Sequence, residues 1–314
     1  MKWVFTSQAI VDTAIQFGLF YGFILIGYLL ARLSSKGKEA NHYLNLLLIN
    51  ILIPILFIYT LLTASPNAIT ELPTIVAIAL IIHLLGPALM YLHLKRRNYD
   101  NSTKGVFYIC VTFNNALFIP LPLVLMFVGT AGLPIVIIFS LTQMILLATL
   151  GSFMGAIFGG ENGGYSKITK DALTFPPFFA AIIAVVLFLA NIRLTGDLAY
   201  VLSFTGPVTT YLALIAVGLG IGVRFSLVEI RAALEVVGIR QVLIPIIVIP
   251  VIIFSGLAQL PASILILESL MPPAVLTVIY AKSFNLNSEK AASIVTVGTL
   301  LLLPVIFFIP FIFG

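Results

Sequence analysis

The chain has 314 residues, 61% of them hydrophobic and 9% charged, with a formal net charge of +5. No ordinary soluble core needs apolarity sustained from end to end at that level, so the composition excludes a soluble globular domain and points to an integral membrane protein. The excess of positive charge is topological and is not read as nucleic-acid binding.

A helix needs about 20 mainly apolar residues to cross the hydrocarbon layer, and ten segments of that kind can be marked off between short polar breaks. They lie near 10–31, 42–63, 72–94, 105–128, 131–158, 170–191, 197–222, 238–257, 261–281 and 289–313. Asp12 stands where a signal peptide would have its apolar core, so the first segment is expected to stay in place as a span. Span two carries Asn50 one turn before Pro54, span three carries His83, and span five carries Gln143. Between spans seven and eight, RFSLVEIRAALEVVGIR alternates charged with apolar residues, and it is expected to be an amphipathic connector lying at the membrane surface. The small-residue runs GLFYG, GSFMGAIFG and GLGIG, starting at 18, 151 and 218, are expected to let helices pack closely.

Charge sets the orientation. With the N-terminus outside, 14 Lys and Arg residues fall at cytoplasmic ends and only Lys2 and Arg193 fall outside. That split satisfies the positive-inside rule for ten spans with both termini out. The glycine-rich GGENGG at 159–164 falls almost midway, with five spans on either side. The second half must then enter the membrane from the opposite face, as in an inverted repeat. The expected units are a first five-helix repeat over 1–160, a cytoplasmic connector over 161–168 and a second, inverted repeat over 169–314. A shift of 153 residues carries Pro54 onto Pro207, Pro120 onto Pro273 and Asn115 onto Glu268.

Spans four and nine are the unusual ones. Span four contains TFNNALFIPLPLV at 112–124, and span nine contains LESLMPP at 267–273. Proline removes a backbone donor and clashes with the preceding turn, so FIPLP (Pro120, Pro122) and MPP (Pro272, Pro273) are each expected to break a helix near mid-membrane. Broken helices are tolerated at that depth only where protein or a water-filled cavity satisfies the freed groups. Each second half-helix then starts with its partially positive N-terminus near the membrane centre, where two such ends would hold a carboxylate and the unwound carbonyls would equally suit a cation. Asn114 and Asn115 beside the first break are candidates for substrate contact, with interhelical hydrogen bonding as the plain alternative. Glu268, four residues before Pro272, is a buried carboxylate for coupling or charge tuning. His83, Asn50 and Gln143 are secondary candidates, for which structural hydrogen bonds are the simpler reading.

No phosphate-cradling glycine loop, zinc-protease helix or nucleophile elbow is present, so no enzyme activity is expected. Cys110 is the single cysteine, and neither a metal site nor a cofactor is expected.

The stretches INILIPILFIYTLL at 49–62, NNALFIPLPLVLMFVGTAGL at 114–133 and LESLMPPAVLTVIYAKSFNLNSEKAASIVTVGTLL at 267–301 resemble the auxin efflux carrier family, the PIN-type carriers with their bacterial and archaeal relatives. The resemblance runs over nearly the whole chain. It implies an all-α fold of ten transmembrane helices in two inverted repeats, with broken helices four and nine crossing at mid-membrane. It also implies a scaffold of spans one, two, six and seven, a moving transport domain, a homodimer formed through the scaffold, and a cell-membrane location. The cargo it implies is a small organic anion, auxin-like or a dicarboxylate, carried by an elevator motion. The family's crossover asparagine falls on Asn115 and its crossover prolines on Pro122 and Pro272. Pro120 departs from the glycine of many relatives, and the long cytoplasmic loop of many plant members is missing. Sodium or proton coupling stays open, as do a symporter or antiporter of the same fold and a non-transporting membrane receptor or assembly protein.

Overall fold

The computed structural model describes residues 7–64, 71–159, 175–224 and 229–313. Lys2 and the connector expected over 161–168 lie outside these residues. The regular elements described are all helical: α1 (Ser7–Leu33), α2 (Gly37–Thr63), α3 (Leu72–Leu94), α4 (Asn101–Thr112), α5 (Pro120–Phe127), α6 (Thr130–Gly159), α7 (Pro176–Leu189), α8 (Gly196–Ser203), α9 (Thr205–Arg224), α10 (Ile230–Ile253), α11 (Gln259–Leu270), α12 (Leu276–Ser283), α13 (Ser288–Ile306) and α14 (Ile309–Phe313). Among the described residues, seven stretches are long and apolar enough to cross a membrane: α1, α2, α3, α6, the α8–α9 pair, α10 and α13. The remaining expected spans are the 14-residue α7 and two interrupted helices, α4 with α5 and α11 with α12.

Span eight starts earlier than its hydropathy indicates. Helix α10 begins at Ile230, inside the segment expected to lie at the membrane surface, and runs through a π-helical stretch at Gly238–Leu243. Its Ala232, Ala233, Val236 and Val237 are buried, and the helix packs on α13. The amphipathic pattern is real, but its apolar face meets protein. Arg240, expected at a cytoplasmic helix end, is therefore inside the span and fully buried.

Packing follows a repeated plan. Helix α1 lies along α9, and α7 lies along α2. Helix α3 packs on α4 and α6, while α10 packs on α11 and α13. Within this set, each contact has a counterpart between the helices of matching rank in the other half. The α1–α9 seam is close because Gly27 faces the Ile215 carbonyl and Gly218 faces the Ile24 carbonyl, with no room for a Cβ at either. Gly155 and Gly159 give way to Phe284 in the same manner. Gly18 and Gly22 have nothing within 4 Å, so the run GLFYG does not make the close packing expected of it; Gly27, five residues beyond its end, does. One smaller apolar cluster joins α2, α7 and α9 through residues such as Phe57, Ala181, Ala184 and Ala213, while the main core gathers around α3, α4, α6, α10, α11 and α13.

Candidate functional site

The two interrupted helices meet at their interruptions. Asn114 and Pro273 face each other as an antiparallel bridge. The Asn115 N–H donates to the Pro272 carbonyl at 2.7 Å, and the Ala274 N–H donates to the Phe113 carbonyl at 2.9 Å. Unwound backbone buried in an apolar surrounding costs several kcal/mol for each unsatisfied group, and this exchange satisfies four such groups reciprocally. The bridge sets residue 114 opposite residue 273, an offset of 159. It does not use the 153-residue register that pairs Pro120 with Pro273.

The two breaks have different local causes. Met271 is extended because the following Pro272 disfavours the helical conformation of the residue before it. Prolines therefore do interrupt α11–α12. The first break precedes its prolines: Phe113 is already extended, whereas Pro120 opens α5. A proline in the first helical turn has no amide hydrogen to leave unpaired, so FIPLP starts the second half-helix and does not break the first. What holds the first break open is polar. Gln143 of α6 clamps the backbone of Asn114, its Oε1 accepting from the Asn114 N–H at 3.1 Å and its Nε2 donating to the Asn114 carbonyl at 2.9 Å. The Asn115 Oδ1 accepts from the Phe118 N–H at 3.0 Å, shaping the turn into α5, and the Ser140 hydroxyl donates to the Ala116 carbonyl at 2.7 Å.

Most of the polar residues singled out from sequence come together here. The Asn114 Nδ2 donates to the backbone carbonyl of Glu268 at 3.1 Å and to its Oε2 at 3.2 Å. His83 stands behind Gln143, with Nε2 2.8 Å from Gln143 Oε1 and Nδ1 2.6 Å from the Ala79 carbonyl. Asn114, His83 and Glu268 are fully buried, and Asn115 and Gln143 nearly so. Pro120, Pro122, Pro272 and Pro273 are buried at the starts of the half-helices or within the break. Asn50 is the exception: it lies exposed in a π-helical turn of α2, away from this cluster.

Arg240 is the residue that sequence reasoning missed. Its guanidinium donates to the Glu268 carbonyl at 3.4 Å, close to the C-terminal end of α11, where a cation meets the negative end of the helix dipole. Its Nε and NH1, the Glu268 Oε1 and the Asn114 Oδ1 are buried without a hydrogen-bond partner. The signal was present in VVGIRQVLIP, where an arginine has apolar residues on both sides. Counting it as a helix-end charge for topology concealed it.

A cavity of about 550 Å³ opens against one face of the crossover. Asn114, Asn115, Gln143, Ser140 and Thr296 form its deep polar end, and Phe57, Phe118, Leu141, Met144 and Phe178 are among its apolar walls. It extends to Lys38, Asn41, His42 and Asn45 at the start of α2. Those four residues are spaced i, i+3, i+4 and i+7, the one-face spacing of a helix, a signal readable in GKEANHYLN. Glu268, His83 and Arg240 do not line the cavity; they lie behind Asn114 and Gln143. Among the described residues no group of three or more His, Cys, Asp or Glu side chains is placed to hold a metal ion.

At the charged helix ends a second network ties α3, α4, α10 and α13 together. Glu235 accepts from the Tyr99 hydroxyl at 3.0 Å and lies 2.9 Å from His93 Nε2, and Lys290 reaches Glu229 at 3.7 Å and Thr103 at 3.0 Å. Partial burial, and then the Glu235 carboxylate, push the Tyr99 phenol above its ordinary value. Asp100 caps α4, accepting from the Thr103 N–H at 2.9 Å and the Thr103 hydroxyl at 2.7 Å, and these bonds hold its carboxyl below the ordinary range.

With this geometry in place, comparison with known proteins is decisive at the family level. Residues 20–162 and 164–310 match the family described as membrane transport protein, which is the auxin efflux carrier-like family. The chain belongs to that family. Among its relatives, an uncharacterized transporter of Methanothermobacter thermautotrophicus is 28% identical over 278 residues, covering 88% of this chain and 91% of the relative. An uncharacterized transporter of Methanocaldococcus jannaschii is 23% identical over 288 residues, again covering 88% and 91%. The carrier is thus a multi-helix membrane transport protein, and the resemblance read from three stretches of sequence holds across almost its whole length.

Proposed function

We propose that this carrier moves a small organic anion across the cell membrane by alternating access, using ten spans arranged as two inverted five-helix repeats with both termini outside. The observation that carries the reading is the bridge between two unwound segments at Asn114 and Pro273, with a cavity against it. Half-helices α5 and α12 both start beside that bridge, and their N-terminal ends present partial positive charge to whatever occupies the cavity. Asn115 uses its Oδ1 on the turn into α5, which leaves its NH₂ group for a ligand oxygen. The matched packing of α1 on α9 and α7 on α2 supports the repeat, with those helices as a scaffold and the interrupted helices on the moving part. The scaffold is also where a homodimer would form.

The cavity walls narrow the substrate. Aromatic and aliphatic side chains with polar groups at one end suit a carboxylate carried on an apolar body better than a compact dianion. The cavity reaches Lys38, on the side that the distribution of Lys and Arg makes cytoplasmic, which fits loading from inside and efflux. An inside-negative potential favours export of a monoanion by about 2.3 kcal/mol per 100 mV without a coupled ion. Glu268, behind Asn114, tunes the charge at the crossover and does not contact the substrate.

The test is thermal stabilisation of the purified carrier by a panel of aromatic monocarboxylates and small dicarboxylates. A ligand that binds only the folded protein at 100 times its Kd stabilises it by about 2.7 kcal/mol. The expected result is an upward shift with apolar-bodied monocarboxylates that disappears in Asn115→Ala. Equal shifts in wild type and variant, or none with any carboxylate, would refute the assignment.

A further inference from the structure

We propose that His83 is a buried proton-binding site, held as an imidazolium by the Ala79 carbonyl and the Gln143 amide, whose charge stands directly behind the face of the cavity that receives the anion. Nδ1 is 2.6 Å from the Ala79 carbonyl oxygen and Nε2 is 2.8 Å from Gln143 Oε1, so both ring nitrogens face oxygen. A neutral imidazole has one N–H and one lone pair, and in either tautomer the lone pair would point at one of these oxygens. Rotating the Gln143 amide by half a turn does not remove the conflict. Its Oε1 accepts from the Asn114 N–H and its Nε2 donates to the Asn114 carbonyl, so the reversed amide would place donor against donor and acceptor against acceptor. Only the doubly protonated ring satisfies every contact. The Phe139 ring, its centroid 5.2 Å from that of His83, adds a π-face within the range at which aromatic rings stabilise a cation.

The charged and titratable groups around the ring come from α4, α10 and α11, while α6 carries none. Arg240 of α10 lies beyond the crossover, Glu268 of α11 is reached through Asn114, and Cys110 of α4 is turned to Thr277. On α3 itself, His93 is engaged with Glu235 at the far end. With His83 charged, two cations and one carboxylate surround the crossover, a balance that favours an anion in the cavity. Gln143 is the link: it lines the cavity, accepts from His83 and clamps the backbone of Asn114. Any movement that unclamps Asn114 also frees the Gln143 amide to turn its NH₂ toward His83, and a turned amide no longer requires the second imidazole proton. Proton release is thereby tied to rearrangement of the crossover, and anion binding and proton binding reinforce each other. This coupling rests on the anion-carrier reading above, whereas the proton site itself does not.

The experiment is ¹⁵N NMR of the full-length carrier in micelles with labelled histidine. His83 is assigned by its absence in His83→Gln or, independently, by being the one signal left in a His42→Gln/His93→Gln variant. The expected spectrum at neutral pH shows both His83 nitrogens protonated, and a neutral ring in Gln143→Leu. A neutral His83 in the wild type, or an imidazolium unchanged in Gln143→Leu, would overturn the proposal. The same preparation is then titrated with a stabilising carboxylate. Its affinity is expected to fall by up to about tenfold per pH unit above the His83 midpoint. Affinity that is level through that midpoint would overturn the coupling. An imidazolium with no carboxylate bound at any pH would leave the proton site standing and refute the anion-carrier reading.

Discussion

Asn114 and Asn115 are neighbours with different duties. Asn114 is fully buried, with its backbone clamped by Gln143 and its side chain donating to Glu268, so it builds the crossover. Asn115 has one edge in the cavity and shapes the turn into α5. Sequence alone marked the pair, because two amides inside an apolar run must find partners; it did not mark which side chain is spent on the crossover and which would meet the proposed substrate, since adjacent residues differ only in where the unwound backbone aims them. Asp100 offers a prediction at the same scale. As the N-cap of α4 it satisfies an amide that the helix cannot, and Asp100→Ala is expected to lower stability by about 1 kcal/mol in thermal unfolding. The carboxyl is held below its ordinary range, so its contribution is present above the unfolded-state value and fades as pH falls through the lowered one. The gap between wild type and variant should therefore close on acidification below about pH 4. A gap that widens in acid would contradict this sign.

The helices show which sequence rules operate and which compete. Prolines in a membrane span announce a break, and in α11–α12 they make one, because the residue before each proline is driven out of the helix. In α4–α5 the same residue type begins a helix, and the break is sustained by a glutamine 29 residues downstream of Asn114 in the chain but adjacent in space. A pattern local to the span contains no trace of that partner. The early start of α10 escaped for a related reason: charged residues in its first turns depress hydropathy although the helix packs its apolar face on α13. Small-residue runs were legible as packing surfaces, and the structure separates those that are used from those that are not. A Cβ on Gly218 would fall 1.9 Å from the Ile24 carbonyl oxygen, whereas Gly18 has open space. Gly218→Ala is expected to cost about 1–3 kcal/mol as α1 and α9 are forced apart, and Gly18→Ala to leave the unfolding temperature unchanged or slightly raised. Equal effects of the two substitutions would show that this seam is not where stability resides.

At the scale of the whole molecule, hydropathy carried the all-helical architecture a long way, because lipid imposes length on every span. The interior is different. A cavity is a property of surfaces brought together from α2, α6, α9 and the two breaks, and the buried trio of His83, Arg240 and Glu268 is a property of three separate helices. On the proposed reading, helix N-termini and amides face the anion from one side, while charges behind Gln143 and Asn114 set the potential of the site. The central claim is transport through the Asn115 face of the cavity. The most direct test is flux of a labelled aromatic monocarboxylate in proteoliposomes under an imposed potential, comparing the wild type with Asn115→Ala and Pro273→Ala incorporated in equal amounts. Saturable, potential-driven flux that falls to the protein-free background in both variants is the predicted result, and flux surviving undiminished in Asn115→Ala, or none in the wild type with any carboxylate, would contradict it.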